Sequence, residues 1–241
     1  MQLFITDYQK NGEIISIVDS DLLSQIRKVL RARIGDTIWV QNPHKEPHKL
    51  RYEIRIDARD NVSLSWTIIS EQVHDIAPEK KHMIIALPNK RDKVELIVQK
   101  LTECGLDQII FWPSERSIIR EWNPKKEERL QKIIKEAVEQ SRGRTMPELI
   151  FTPDIQKYLQ DTELIVFDTA PTSDAATPGK QGTIPKSHIT GLVGPEWGLT
   201  PKDYQVFVAS TPKIVSLWTT VLRIETAAII GWRLIKNEKT F

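Results

Sequence analysis

The periodicity of apolar residues changes near residue 80, and no other feature of the chain constrains its fold as strongly. Beyond that point, apolar runs of strand length alternate with helix-periodic segments. Residues 83–87, 108–112, 164–168, 189–193 and 214–217 read as strands, several of them near-continuous apolar runs of the kind covered on both faces. The intervening helices carry their own start and stop signals. Asp92 is placed to cap a helix whose Val94, Ile97, Val98 and Leu101 share one face, with Gly105 as its stop. Asn123 and Pro124 open a longer helix with the stripe Leu130, Ile133, Ile134, Ala137 and Val138, and Gly143 follows its end. Thr200-Pro201-Lys202-Asp203 has the form of a capped start, and a last helix spans residues 222–235. This alternation predicts an α/β domain on a mostly parallel sheet.

The first part of the chain follows a different rule. Residues 3–6, 14–18, 37–40, 52–56 and 62–69 are strand-like, punctuated by turn formers at Asn11-Gly12 and Asp60-Asn61, with one short helix over 22–31. Short strands with one small helix predict a compact β-barrel. The expected plan is a barrel over 1–72, a linker over 73–81 and the α/β domain over 82–241. A length of 241 residues, 40% of them hydrophobic, accommodates two such cores. Residues 170–187, rich in Thr, Pro, Gly and Ala, form a long irregular stretch of a kind that is often functional or mobile.

A net charge of +2 says little about partners, but the basic residues cluster. Arg27, Lys28, Arg31 and Arg33 form one group, Lys80, Lys81, Lys90, Arg91 and Lys93 another, and Arg142 with Arg144 a third. Such groups suit nucleic-acid phosphates and equally suit solvated helix faces. The single cysteine, Cys104, excludes an intramolecular disulfide and fits a reducing cytoplasm. The first residues lack the basic and apolar regions of a signal peptide, and no run of apolar residues is long enough to span a bilayer. No metal site is expected, because Pro43 and Pro47 keep His44 and His48 off a regular helix and no third ligand is near.

In an open α/β sheet, ligands gather at the C-terminal ends of strands. Two such ends here are unusual. The segment 191–200 places Gly194, Pro195 and Gly198 between a strand and a helix start, which suits close backbone approach to a ligand and suits a simple turn as well. The segment 216–227 opens the last helix with Arg223 and Glu225, readable as site residues or as ordinary first-turn charges. A third end, at Asp168 and Thr169, opens the long irregular stretch.

These residues resemble a known family. Gly194-Pro195-Glu196-x-Gly198 together with Leu217-x-x-x-Val221-Leu222-Arg223-x-Glu225-Thr226-Ala227 is similar to the signature pair of RsmE-type enzymes, members of the SPOUT methyltransferases. Gln99, Lys100, Thr102, Glu103 and Gly105 are similar to the family's "QKATELG" helix, Ser114-Glu115-Arg116-Ser117 to its "SERS" element, and Glu136-Ala137-x-Glu139-Gln140-Ser141 with Pro147 to its "EAAEQS…P" helix end. Val29-Leu30-Arg31 with Gly35-Asp36 resembles "VLR…GD" in the first domain. The chain departs from the pattern at Trp197 and Trp218, which stand where the family has glycines, and in the spacing of Arg142 and Arg144. Each of these two Trp side chains either points outward while its backbone serves the ligand or fills an adenine-sized pocket.

The resemblance implies a PUA-like N-terminal barrel, a C-terminal SPOUT domain with a deep trefoil knot, and a homodimer. Patterning alone would never suggest the knot, since connections are unknotted by default. It implies methyl transfer from S-adenosylmethionine to N3 of a uridine in 16S ribosomal RNA, within the small ribosomal subunit. The expected cofactor cradle is Thr169, Val193, Gly194, Pro195, Glu196, Gly198, Ser216, Leu217 and Leu222. Arg223, Glu196 and Glu225 are the expected catalytic residues, with pairing to Arg223 as the alternative role of Glu225. Lys28, Arg31, Arg33, Arg116, Arg142 and Arg144 are expected to hold RNA. A SPOUT enzyme acting on another RNA, and an RNA-binding relative that has lost catalysis, remain the rival readings.

Overall fold

The computed structural model describes residues 2–43, 50–59, 64–73, 80–143, 145–168, 188–217 and 220–236. Two compact units emerge. The first is residues 1–76 with 135–146, the second residues 77–134 with 147–241.

The first unit is built on a mixed six-stranded sheet. Its strands are β1 (Leu3–Ile5), β2 (Tyr8–Asn11), β3 (Ile14–Ile17), β4 (Thr37–Gln41), β5 (Leu50–Arg59) and β6 (Leu64–Val73), in the order β1-β4-β5-β6-β3-β2. Only β1 and β4 run parallel. Helix α1 (Ser20–Lys28) is capped by Asp19, whose carboxylate accepts from the N–H groups of Asp21 and Leu22. Its Leu22 and Ile26 enter a core with Phe4, Ile15, Val40, Ile54 and Trp66.

A segment from far along the chain completes this unit. Helix α3 (Glu127–Ser141) contributes its second half, from Lys135 onward. Glu139 accepts from the Ile5 N–H at 2.8 Å. The buried Arg51 donates to Gln41 Oε1 at 2.8 Å and to the carbonyl of Arg142 at 3.2 Å, and also reaches the Gly143 carbonyl. The guanidinium thereby joins a strand to the two residues that follow the end of α3 and satisfies their carbonyls.

The second unit is a six-stranded sheet in which every pairing is parallel. Its strands are β7 (Lys80–Ala86), β8 (Gln108–Trp112), β9 (Glu148–Phe151), β10 (Thr162–Phe167), β11 (His188–Val193) and β12 (Lys213–Val215), in the order β12-β10-β11-β7-β8-β9. Met83 to Ala86 are all fully buried, as strands covered on both faces require. Helices α2 (Arg91–Cys104) and α5 (Ile224–Lys236) pack against each other, and α5 lies on β7 and β11. Gly231 and Gly191 allow that approach, since a Cβ on either would stand 3.0 Å or less from the Phe167 ring. A separate cluster gathers Ile84, Ile110, Leu164, Val166 and Leu192 with Phe207 of α4 (Pro201–Phe207).

The α/β alternation is as the sequence predicts, with differences at the edges. Lys90, not Asp92, is the N-cap of α2, and its side chain makes no capping bond; Asp92 sits in the first turn, where its charge still favours the helix dipole. Gly105 ends that helix in the left-handed conformation, φ 81°. Strands β2 and β9 were not expected. β6 extends to Val73 and β7 begins at Lys80, within the expected linker, of which residues 74–79 lie outside the described residues. So do Asn61, the histidines at 44 and 48, and the irregular stretch 170–187. No helix among the described residues is long and apolar enough to cross a membrane, and no group of three or more metal-ligating side chains forms among them.

Candidate active site

The strand order of the parallel sheet reverses between β11 and β7, and a cavity opens at the C-terminal ends of β10 and β11 beside that point. Phe167 and Asp168 line it from the end of β10. Val193, Gly194, Pro195, Glu196 and Gly198 line it from the turn after β11. Leu217, Thr220, Val221 and Leu222 come from the segment after β12, and Ile224 and Ala227 from the start of α5.

The turn after β11 has a defined geometry. The Gly198 N–H closes it onto the Pro195 carbonyl at 2.9 Å, and Gly198 takes φ +73°, a conformation that disfavours other residues. A Cβ on Gly194 would stand 2.8 Å from Leu199 Cγ, so the glycine there is required by packing. Thr200 and Asp203 form a full capping box at the start of α4. The Tyr204 hydroxyl donates to Asp168 at 2.8 Å, and burial, followed by that bond to a carboxylate, pushes its phenol far up.

Lys93 of α2 reaches into this region. Its ammonium lies 2.6 Å from Glu196 and 3.9 Å from Glu225, with all three side chains at most a quarter exposed. One Glu225 carboxylate oxygen is fully buried and lacks a hydrogen-bond partner among the described residues. Two carboxylates thus share one cation at the edge of the cavity.

The loop after β8 is fastened to the same turn. The Glu115 N–H donates to the buried Asp203 at 2.8 Å, Lys202 pairs with Glu115 at 2.7 Å, and Arg116 donates to the Trp197 carbonyl. Arg120 holds the loop from within, donating to the carbonyls of Ser114 and Glu115. The Lys202 contact holds the Glu115 carboxyl below the usual carboxylate range.

A family model described as RNA methyltransferase domain matches residues 77–236. The chain belongs to that family. Its relatives include ribosomal RNA small subunit methyltransferase E of Bacillus subtilis strain 168, 27% identical over 235 residues that cover 92% of this chain and 89% of the relative. The protein of the same name from Rickettsia conorii is 25% identical over 235 residues, covering 95% and 91%. The crystal structure of ribosomal RNA small subunit methyltransferase E from Neisseria gonorrhoeae bound to S-adenosyl methionine has a similar fold, with a TM-score of 0.75, 23% identity, and coverage of 99% of this chain and 98% of that one. The RsmE resemblance read from the motifs is therefore borne out.

Within this family member, the structure brings together Val193, Gly194, Pro195, Glu196, Gly198, Leu217 and Leu222 on one cavity. Ser216 is exposed past the end of β12 and is not among the lining residues. Thr169 lies outside the described residues, as do Arg144 and Trp218. Arg223 is exposed between the cavity-lining Leu222 and Ile224. Glu225 meets Lys93, so the cation beside it is not the Arg223 considered from sequence. The Trp197 side chain is 73% exposed and does not line the cavity, which decides between its two alternatives. Lys28, Arg31, Arg33 and Arg142 are exposed on the first unit, and Arg116 is exposed on the second.

Lys93, Phe167 and Ile224 are among the site residues that sequence reasoning missed. Lys93 reads as one charge in a basic cluster, and Phe167 as the apolar end of a buried strand. The only available signal for Lys93 was its place one turn from a helix start, next to the strand end of β7.

Proposed function

We propose that this chain transfers a methyl group from S-adenosylmethionine to N3 of a uridine in 16S ribosomal RNA of the small ribosomal subunit. The observation that carries this reading is the Lys93–Glu196 pair, which holds a carboxylate on a glycine-walled cavity at the reversal point of the parallel sheet. The names of the Bacillus and Rickettsia relatives support the substrate, and the Neisseria fold neighbour supports the cofactor.

The residues present fit that cofactor. Phe167, Leu217, Leu222 and Ile224 offer apolar surface for an adenine ring. Gly194 leaves no room for a side chain and brings backbone to the cavity wall. Asp168 and Glu196 supply negative charge suited to a cationic ligand. When bound, the sulfonium would provide an activated methyl group. The cradle would be Val193, Gly194, Pro195, Gly198, Leu217 and Leu222, joined by Thr169 and Ser216.

The chain's own tasks are then alignment and proton removal. Alignment of reacting groups supplies roughly 7–11 kcal/mol at best. Glu196 accepts the uridine N3 proton, as it stands on the cavity, while Arg223 stabilises the negative charge that develops on the uracil. Glu225 shares Lys93 with Glu196 and thereby fixes where that ammonium sits. Phosphates are held by Lys28, Arg31 and Arg33 of a PUA-like barrel and by Arg116, Arg142 and Arg144. The deep trefoil knot, the homodimer and the cytoplasmic setting belong to the same proposal.

The test is methyl transfer from labelled S-adenosylmethionine to small ribosomal subunits that lack the modification, followed by mass spectrometry of nuclease fragments. The expected product is 3-methyluridine at one 16S position. Label appearing only in transfer RNA would instead support a SPOUT enzyme of other specificity. Absence of calorimetric cofactor binding would support an RNA-binding relative without catalysis.

A further inference from the structure

Trp197 is the most exposed large aromatic side chain among the described residues, at 73%. A single exposed apolar side chain is ordinary, but an indole offers a large flat contact area of the kind enriched at interfaces, and here its backbone is held in place. The backbone here is fixed on every side. Glu196 before it is held by Lys93 at 2.6 Å. Its own carbonyl accepts from Arg116, and Gly198 after it closes the turn onto Pro195 at 2.9 Å. The positive-φ residues of the turn do not include Trp197, so the side chain stands there without backbone strain.

Its position is equally specific. Both chain neighbours line the cavity, while the indole itself is exposed and is not among its lining residues. The segments that meet this turn expose cations, Arg116 and Arg120 on the fastened loop, Lys202 (paired with Glu115) at the start of α4 and Arg223 beside the cavity-lining Leu222, together with the apolar Ile118 and Val221. An exposed aromatic ring whose own backbone carbonyl accepts from an exposed arginine suits an unpaired strand of nucleic acid, with a base stacked on the ring and a phosphate beside the cation.

We propose that Trp197 is a stacking platform for an RNA base next to the nucleotide that enters the cavity. The ligand is a base of an unpaired RNA strand, held by π-face contact and without sequence readout. A purine stacks better than a pyrimidine because its face is larger. This inference rests on the methyltransferase reading only for the identity of the ligand as RNA.

The test uses the full chain and an unpaired RNA oligonucleotide carrying 2-aminopurine beside a single uridine. Binding to the unmodified protein quenches the fluorescence, and Trp197→Phe retains most of the quenching. Trp197→Ala and Trp197→Gly lose it and weaken RNA binding about tenfold at fixed salt. Their calorimetric affinity for S-adenosylmethionine stays within about twofold of the parent, because the indole is off the cavity. Quenching that survives in Trp197→Ala overturns the proposal. So does a change of Trp197→Ala from dimer to monomer in sedimentation velocity, which assigns the indole to a second copy of the chain. Trp197-dependent quenching without methyl transfer to any RNA supports the platform and overturns the methyltransferase reading instead.

Discussion

The Lys93 ammonium stands 2.6 Å from Glu196 and so ties the first turn of α2 to the turn that follows β11. The same ammonium lies 3.9 Å from Glu225 at the start of α5. Helix α2 and two of the segments that line the cavity therefore share one positive charge. The pair is partly shielded from solvent, which places it between exposed ion pairs of little net value and buried pairs whose disruption is costly.

Removing that cation leaves two carboxylates facing each other. Lys93→Met is expected to destabilise the protein by about 1–2 kcal/mol. It should also lower methyl transfer at least tenfold, because Glu196 loses its fixed position. Adding Glu225→Gln removes one of the two repelling charges and should recover part of the stability without recovering turnover. Urea unfolding of the two single variants and the double variant, with turnover measured alongside, checks both statements.

Glu139 gives a prediction about pH. Burial raises its carboxyl above the ordinary value, although the Ile5 N–H bond works in the opposite direction. A raised carboxyl in the folded state favours the protonated form. Its contribution to stability is complete below the ordinary glutamate range and is lost as pH rises through the raised value. Glu139→Gln keeps an acceptor for Ile5 and carries no charge to desolvate. The variant should match the parent in melting temperature near pH 4 and exceed it at pH 7. Scanning calorimetry across that interval would show the gap opening, and a constant gap would refute the assignment.

Much of the cavity was legible because its signals are local. A buried strand followed by Gly194, Pro195 and Gly198 already implies a tight turn at a sheet's C-terminal edge, and the capping residues Thr200 and Asp203 fix the next helix. What was not legible depends on distance along the chain. Lys93 and Glu196 are 103 positions apart, and no pattern in either segment announces the other. The second half of α3 continues one helical stripe without interruption, so its membership of the first unit could not be read from periodicity. Edge strands β2 and β9 escaped for a different reason. Gln9, Lys10 and Asn11 are exposed and polar, and β9 has only four residues, so neither shows the alternation that marks a half-buried strand.

Asp203 couples the two segments that flank Trp197. It is 2% exposed, accepts from the Glu115 N–H at 2.8 Å, and accepts from the Thr200 N–H at 2.9 Å. Asp203→Ala removes the capping box and leaves buried donors without acceptors, a loss of about 2–3 kcal/mol. Because the loop bearing Arg116 is then released from the turn, RNA binding should fall more than cofactor binding. Denaturant unfolding and separate titrations with RNA and S-adenosylmethionine test the two parts independently.

Gly194 offers the sharpest test of the cradle. An added Cβ would meet Leu199 Cγ at 2.8 Å and Cδ2 at 3.2 Å, and both contacts are side-chain atoms that can be removed. Gly194→Ala should therefore cost about 1–3 kcal/mol through overpacking and displace the turn. Leu199→Ala alone opens a void next to the partly buried core of that face and is destabilising for the opposite reason. Combined, the two changes relieve the clash, so the double variant should be more stable than the sum of the single losses predicts. Cofactor affinity discriminates further. If the turn backbone forms the cradle, Gly194→Ala weakens S-adenosylmethionine binding at least tenfold and the added Leu199→Ala restores most of it. Weakened binding that persists after the clash is relieved would mean that the methyl group itself occupies ligand space, and would place the cofactor directly against Gly194.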